Sequence, residues 1–365
     1  QNSFFVGNHF YDISGGAISI GEPAIGDEDN TNPKDPRMMM KNDDVLNNYI
    51  HDIGVDFLSA AAISLGFGPN MDFSYNEIFN MPYSGYHIGY GWQTRFENNL
   101  KNLVIGNNFI HDFMGDGVAD GGGVYTLGNS SGDGYNKIHS NYIKTVLDNA
   151  GPLYCDEGST YYELYNNLVD LSKVTNGWSG GTVKLSWLQM NAASHHLWVH
   201  DNFATVSKYN WNSTDSDIEN AQLEDPNNWS AGAQAVIDGA GLQSEYAHLR
   251  NGHAELIVVN LADGADLKAG DVFQLTVSYT DGKDRPVSGG NYICAFDTTT
   301  PDILEVTADG KVTSLKQGMG VVRIWVVSND ILDVIEKTVY VQDEIESVIL
   351  ENFEGKDTLS MSDEA

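Results

Sequence analysis

Short apolar runs of three to six residues alternate with polar positions along the first two thirds of the chain, separated by Gly and Asn. A unit Asn-x-apolar-x-polar marks each recurrence. It reads Asn8-His-Phe-Tyr-Asp12, Asn48-Tyr-Ile-His-Asp52, Asn76-Glu-Ile-Phe-Asn80, Asn108-Phe-Ile-His-Asp112, Asn141-Tyr-Ile-Lys-Thr145, Asn167-Leu-Val-Asp-Leu171 and, in weaker form, Asn202-Phe-Ala-Thr-Val206. Successive units start 40, 28, 32, 33, 26 and 35 residues apart. A period of about 30 with variable insertions is the signature of a repeat architecture. Helical arrays share that period but need long amphipathic helices, and these runs are too short and have period two.

Most units are followed by a second run: Ala17-Ile-Ser-Ile-Gly21, Ala62-Ile-Ser-Leu-Gly66, Tyr86-His-Ile-Gly89, Val124-Tyr-Thr-Leu-Gly128 and Thr182-Val-Lys-Leu-Ser186. Alternation turns Ile18, Ile20, Ile63, Leu65, Ile88 and Leu127 inward, and Ser19, Ser64, His87, Thr126 and Lys184 outward. Two or three such strands per coil predict a right-handed parallel β-helix over residues 1–250. Its stacked Asn side chains would hydrogen-bond along the axis. Insertions at 22–44, 67–71, 92–104 and 129–137 become loops on one rim, where a solenoid commonly builds its binding face. Ala231–Asp238 reads as a short helix with Ser230 as N-cap and a glycine stop, and is expected to cap the C-terminal end of the solenoid.

The pattern changes near residue 252. Runs at 256–260, 272–279, 292–296, 303–306, 310–315, 320–327 and 337–341 predict a small β-sandwich over residues 251–343. Residues 344–365 read as an acidic tail or the start of a further domain. The expected fold class is therefore all-β, a parallel β-helix followed by an immunoglobulin-like sandwich. The chain opens inside the repeat pattern without a signal-peptide n-region, so earlier coils are expected to be missing.

Composition narrows the partners. The 365 residues carry a formal charge of -32. Such acidity repels phosphates, which argues against nucleic acid and anionic membranes and suits neutral ligands. No apolar run is long enough to span a bilayer. Cys155 and Cys294 fall in different predicted domains, so no disulfide is expected between them. No cofactor is expected either: His and Cys lack zinc spacing, and there is no nucleophile elbow or phosphate-binding loop.

Candidate chemistry gathers at Asp116-Gly-Val-Ala-Asp120-Gly-Gly-Gly-Val-Tyr125-Thr-Leu-Gly128 and, one repeat later, at Gly151-Pro-Leu-Tyr154-Cys-Asp156-Glu157-Gly-Ser159. Adjacent coils lie about 4.8 Å apart, so acids matched between them can reach the carboxyl separations of about 5–9 Å used in glycoside hydrolysis. Asp120, Asp156 and Glu157 are the catalytic candidates, with Asp116 in a supporting or turn role. The alternative is that these acids cap turns or hold a structural Ca2+. Cys155 aligned with an outward Thr126 puts Asp156 inward and Glu157 outward, a choice that a bulge would reverse. Tyr90, Trp92, Tyr125 and Tyr154 can form a platform for sugar faces, and His87 can bond a hydroxyl. An elimination enzyme would instead need a cationic clamp, for which Arg95, Lys144 and Lys184 are the best-situated residues.

Asp120-Gly-Gly-Gly-Val-Tyr-Thr-Leu-Gly128, Leu153-Tyr-Cys-Asp-Glu-Gly-Ser159 and the Asn-Tyr-Ile-His-Asp units together resemble the parallel β-helix glycoside hydrolases of bacterial polysaccharide-utilising systems. Family 141, with fucosidase and xylanase activities, is the nearest group. Asp302-Ile-Leu-Glu-Val-Thr-Ala-Asp-Gly-Lys-Val-Thr-Ser-Leu-Lys-Gln-Gly318 resembles the bacterial immunoglobulin-like group 2 domain, a spacer or adhesive module. These resemblances imply a carbohydrate-degrading, monomeric enzyme that is secreted, periplasmic or cell-surface associated. Its two acids on neighbouring coils would match Asp120 with Asp156 or Glu157. A polysaccharide lyase or epimerase and a non-catalytic glycan-binding surface protein are the alternatives.

Overall fold

A computed structural model describes residues 1–21, 33, 35–89, 98–115, 118–130, 132–145, 151–174, 186–250, 256–287, 292–327 and 332–343. The chain divides into two compact units, Gln1–Asn251 and Gly252–Ala365. Among the described residues no helix is long and apolar enough to cross a membrane.

The first unit is a right-handed parallel β-helix. Its described strands form three parallel sheets of eight, eight and seven strands. The first sheet runs from Phe4–Val6 to Asp217–Glu219, the second from His9–Phe10 to Gln222–Leu223, and the third from Ile18–Ile20 to Asn210–Trp211. Each coil except the last contributes one described strand to each sheet, so residues at one register position form a column along the axis. Val45, Phe73, Ile105, Ile138, Leu164 and Val199 make one buried column of the first sheet; Ile50, Ile78, Ile110, Ile143 and Val169 make one of the second.

The corner between the first two sheets explains the Asn units. Asn47, Asn107 and Asn166 take left-handed φ values of 54°, 53° and 54°, a conformation that Asn tolerates better than most residues. The next residue, Asn48, Asn108 or Asn167, turns inward and joins a continuous amide column. Nδ2 to Oδ1 distances from Asn8 through Asn48, Asn76, Asn108, Asn141 and Asn167 to Asn202 are 2.9–3.1 Å. From Asn48 onward, each amide also donates to a main-chain carbonyl, as Asn108 does to Phe73 at 2.9 Å. These buried amides are thereby satisfied, as a dry interior demands.

The third sheet corrects the expected parity at one strand. The inward column runs Ile20, Leu65, Ile88, Thr126, Cys155 and Met190. Thr126 is fully buried there, its hydroxyl bonded to Ser159 Oγ at 2.8 Å, so it is not outward. A hydroxyl with a fixed internal partner is tolerated in a core. Leu127 is buried but falls outside the core cluster. The expected strand at Thr182–Ser186 lies almost wholly outside the described residues; the strand of that coil is Leu188–Met190.

The segment after residue 224 lies along the second sheet and does not cover the last coil. Helix α1 (Ala231–Gly239) starts at Ser230, whose hydroxyl accepts from Ala233 N at 3.2 Å. Ala233, Val236 and Ala240 pack on Phe109, Tyr142, Leu168 and Phe203, which belong to four successive strands. The chain continues backward along the axis. Gln243 exchanges hydrogen bonds with Asn47, Leu242 packs on Tyr49 and Phe79, and Arg250 forms a two-pronged pair with the buried Glu77. The apolar outward column of the second sheet draws the segment away from the end of the solenoid.

The second unit is an immunoglobulin-like β-sandwich. One sheet orders Ala265–Lys268, Leu332–Gln342, Gly318–Val327 and Ile293–Thr298; another orders Val272–Gln274, Lys311–Ser314 and Leu304–Val306. Leu304, Val312, Val322, Ile324 and Val339 centre its core. The run expected as one strand at 272–279 is two, Val272–Gln274 and Val277–Thr280, which pair with different partners. Ala265–Lys268, parallel to Leu332–Gln342, was not expected from the pattern.

Candidate active site

The outward column of the third sheet reads Ser19, Ser64, His87, Tyr125, Tyr154, Gln189 and Asn210. Its centre is aromatic. Ring centroids of His87 and Tyr125 are 5.1 Å apart, and those of Tyr125 and Tyr154 are 5.0 Å apart. Tyr83 meets both His87 and Tyr125 edge-on at 6.4 Å.

Asp120 enters this column from the turn before Val124–Leu127. It holds a left-handed φ of 65° and is exposed. Tyr83 Oη donates to its main-chain carbonyl at 2.9 Å. The glycines that follow are fixed by packing: a Cβ on Gly122 would sit 2.5 Å from the Gly151 carbonyl, and one on Gly123 would sit 2.7 Å from Ile143 Cγ2. The triple glycine therefore lets this turn nest between its neighbours, and any side chain there would displace Asp120.

Asp156 ends the neighbouring strand, Leu153–Cys155, and is buried. Because Thr126 and Cys155 face inward, Asp156 is the residue that turns outward, which reverses the expected parity. Its Oδ2 accepts from Tyr125 Oη at 2.5 Å, and its Oδ1 accepts from Asn191 Nδ2 at 2.6 Å. Tyr154 Oη sits 2.9 Å from Asp120 Oδ1 and 3.3 Å from Asp156 Oδ1. One phenol thus lies between the two carboxylates, its single proton serving one at a time. The shared phenol keeps these two oxygens no more than about 6 Å apart.

Burial pushes the Tyr125 and Tyr154 hydroxyls far above the ordinary phenol range, and the adjacent carboxylates add to the shift. Tyr83 moves the same way, through burial and then Asp120. These phenols are proton donors at neutral pH. Burial holds the His87 imidazole below its ordinary range, with Asp156 pulling the other way. Its Nε2 is buried and has no hydrogen-bonding partner among the described residues. Behind the site, burial pushes the Cys155 thiol up to about 12, so it is an unreactive core group.

Asp120, Asp156, Tyr125, Tyr154 and His87 are therefore brought together. Glu157 occupies the turn after Asp156, half-buried, its carbonyl accepting from Gly128 N at 3.2 Å. Asp116, Tyr90, Trp92, Arg95 and Lys184 lie outside the described residues. Lys144 belongs to the second sheet, away from this column. Two members were not anticipated. Asn191 follows Met190 as Asp156 follows Cys155, so the repeat register itself pointed to it. Tyr83 lies three residues before its strand, Tyr86–Gly89, and carries no repeat signal. Among the described residues, no three His, Cys, Asp or Glu side chains come together as a metal site.

No family model matches the chain, and no curated protein matches it. The chain is similar to a solved structure titled "Glycoside hydrolase", at 22% identity and a TM-score of 0.46. The match covers 67% of this chain and 35% of that one, so the chain spans about a third of its length.

Proposed function

We propose that the β-helix unit is a glycoside hydrolase acting on a neutral glycan, with Asp120 and Asp156 as its paired carboxylates. The observation that carries this reading is the convergence of two acids from neighbouring coils on one phenol, Tyr154. Asp120 is the exposed member, open to an approaching substrate. Asp156 is the buried one, oriented by Tyr125 and Asn191. Paired carboxylates of this kind divide the work of protonating a leaving oxygen and supporting attack at the anomeric carbon. The aromatic column backs the carboxylate pair: Tyr125 and Tyr154 are buried, while Tyr83 and His87 are half-buried at its end and can meet the apolar face of a sugar ring. The formal charge of -32 agrees with an uncharged substrate.

Elimination chemistry fits less well, because phenols that burial keeps protonated are not available as its base. A secreted, periplasmic or surface location of a monomer suits this function, with the sandwich unit as spacer. The test is turnover of neutral polysaccharides and aryl glycosides by Asp120→Asn, Asp156→Asn and Glu157→Gln variants. The first two should lose about 10²–10⁴-fold in kcat, while the third keeps most of its activity. Full activity in Asp120→Asn removes this assignment, and collapse in Glu157→Gln alone transfers the second role to Glu157.

A further inference from the structure

The first sheet carries a second cluster of rings on a different face of the solenoid. Three successive strands, Asn136–His139, Thr160–Tyr165 and His195–His200, align His139, Tyr165 and His200 in one outward column. Centroids are 4.9 Å apart between His139 and Tyr165 and 5.4 Å between Tyr165 and His200, with interplanar angles of 16° and 4°. A parallel column pairs Tyr161 with His196, stacked at 4.9 Å. Between these columns run Lys137, Glu163 and Trp198. The indole of Trp198 leans on the His200 imidazole at 4.3 Å and remains 41% exposed.

This composition is not a general property of the sheet. On three earlier coils the column of Trp198 holds Asp44, Asp72 and Val104, and the column of His200 holds Leu46, Ser74 and Gly106. Fixed polar atoms accompany the rings. Glu163 Oε1 lies 3.2 Å from His200 Nε2, and Glu163 Oε2 lies 3.9 Å from Lys137 Nζ. His200 Nδ1 is held by Asp201 at 2.8 Å. Burial would lower the His200 pKa, but Asp201 and Glu163 together raise it above the ordinary imidazole range.

We propose that this panel is a second glycan-binding surface, separate from the third-sheet site, on which a neutral polysaccharide chain lies across Trp198. A sugar presents an apolar face to a ring and hydroxyls around its edge. The panel answers the first with a backed, exposed indole and the second with a donor–acceptor set whose members orient one another. Acidity of the whole chain disfavours a polyanionic occupant. The ligand class follows the glycan-acting reading above, yet the panel requires no turnover.

Affinity electrophoresis of the full chain through gels containing soluble xylan, mixed-linkage β-glucan, glucomannan or galactomannan tests the surface. Asp156→Asn serves as the background, so that the gel polymer stays intact. Retardation in at least one gel is expected. Adding Trp198→Ala should weaken that retardation at least tenfold, while Trp198→Phe keeps most of it. In the otherwise wild-type chain, Trp198→Ala should leave turnover of a small aryl glycoside unchanged. Migration unretarded in every gel, or equal retardation with and without Trp198→Ala, overturns the proposal. A chain without turnover whose retardation still depends on Trp198 would sink the hydrolase reading and leave this one standing.

Discussion

The solenoid and the sandwich are both built from short strands, but they use polar residues in opposite ways. In the solenoid each strand pairs in parallel with its counterpart one coil away, so like positions stack on like. A polar residue can then be buried, because its partner is a copy of itself, as in the column from Asn8 to Asn202. In the sandwich, the long antiparallel pair Gly318–Val327 and Leu332–Gln342 opposes unlike residues, and the core is aliphatic. Stacking also explains why the candidate site lies on the solenoid. Outward columns bring side chains from consecutive coils within bonding distance, whereas an antiparallel ladder disperses them.

That contrast can be broken by mutation. The largest expected effect is on Asn108, which accepts from Asn76 N, Asn76 Nδ2 and Tyr86 Oη and donates to Phe73 O and Asn141 Oδ1. Asn108→Ala would strand several buried groups at about 1–3 kcal/mol each, or roughly 4 kcal/mol in all. Ile324→Ala in the sandwich core should cost about 3 kcal/mol through cavity formation. Calorimetry of the full chain should register each loss in a different transition. A single transition that both variants lower equally would defeat the division into two units.

Arg250→Ala comes next. It leaves Glu77, 1% exposed, as a buried charge without its guanidinium partner, at a cost of roughly 3 kcal/mol. Urea titration should show the solenoid weakened although the change lies at its boundary. A wild-type midpoint would mean that the segment after α1 adds nothing to the stability of the coils.

The smallest effect concerns pH. Burial holds the His87 pKa below the ordinary imidazole range. The folded state therefore resists the proton that the unfolded chain accepts, so its contribution is full above about pH 6.5 and is lost as pH falls below. Thermal midpoints of His87→Gln should decline less than those of wild type between pH 7 and pH 5. Parallel declines would show that His87 does not titrate differently on unfolding.

Much of the solenoid was legible because its signal is redundant. Seven Asn units announced the coils and their amide column, and the acids of neighbouring coils could be matched by register. The errors came where one residue decided. Thr126 looked like a surface residue, yet Ser159 satisfies it inside, and that single reversal carried Asp156 from the wrong face to the right one. The sequence held an overlooked clue to the second sheet as well. From Asn48 onward, the residue after each column Asn is Tyr49, Glu77, Phe109, Tyr142, Leu168 or Phe203, mostly too apolar a surface to stay wet. The split at Leu275–Thr276 depends on pairings far away in the chain, which a local pattern does not encode.

The segment laid along the second sheet changes how such a molecule can come apart. A stack held only by contacts between adjacent coils can fray one rung at a time from either end. Here the stretch from Ser230 to Arg250 touches the coil of Phe203, those of Leu168, Tyr142 and Phe109, and then those of Phe79 and Tyr49. Losing an outer rung means peeling this clasp from the rungs beneath it. The clasp ties six consecutive coils into one cooperative unit, so the carboxylates at the middle of the stack are released only when those coils give way together.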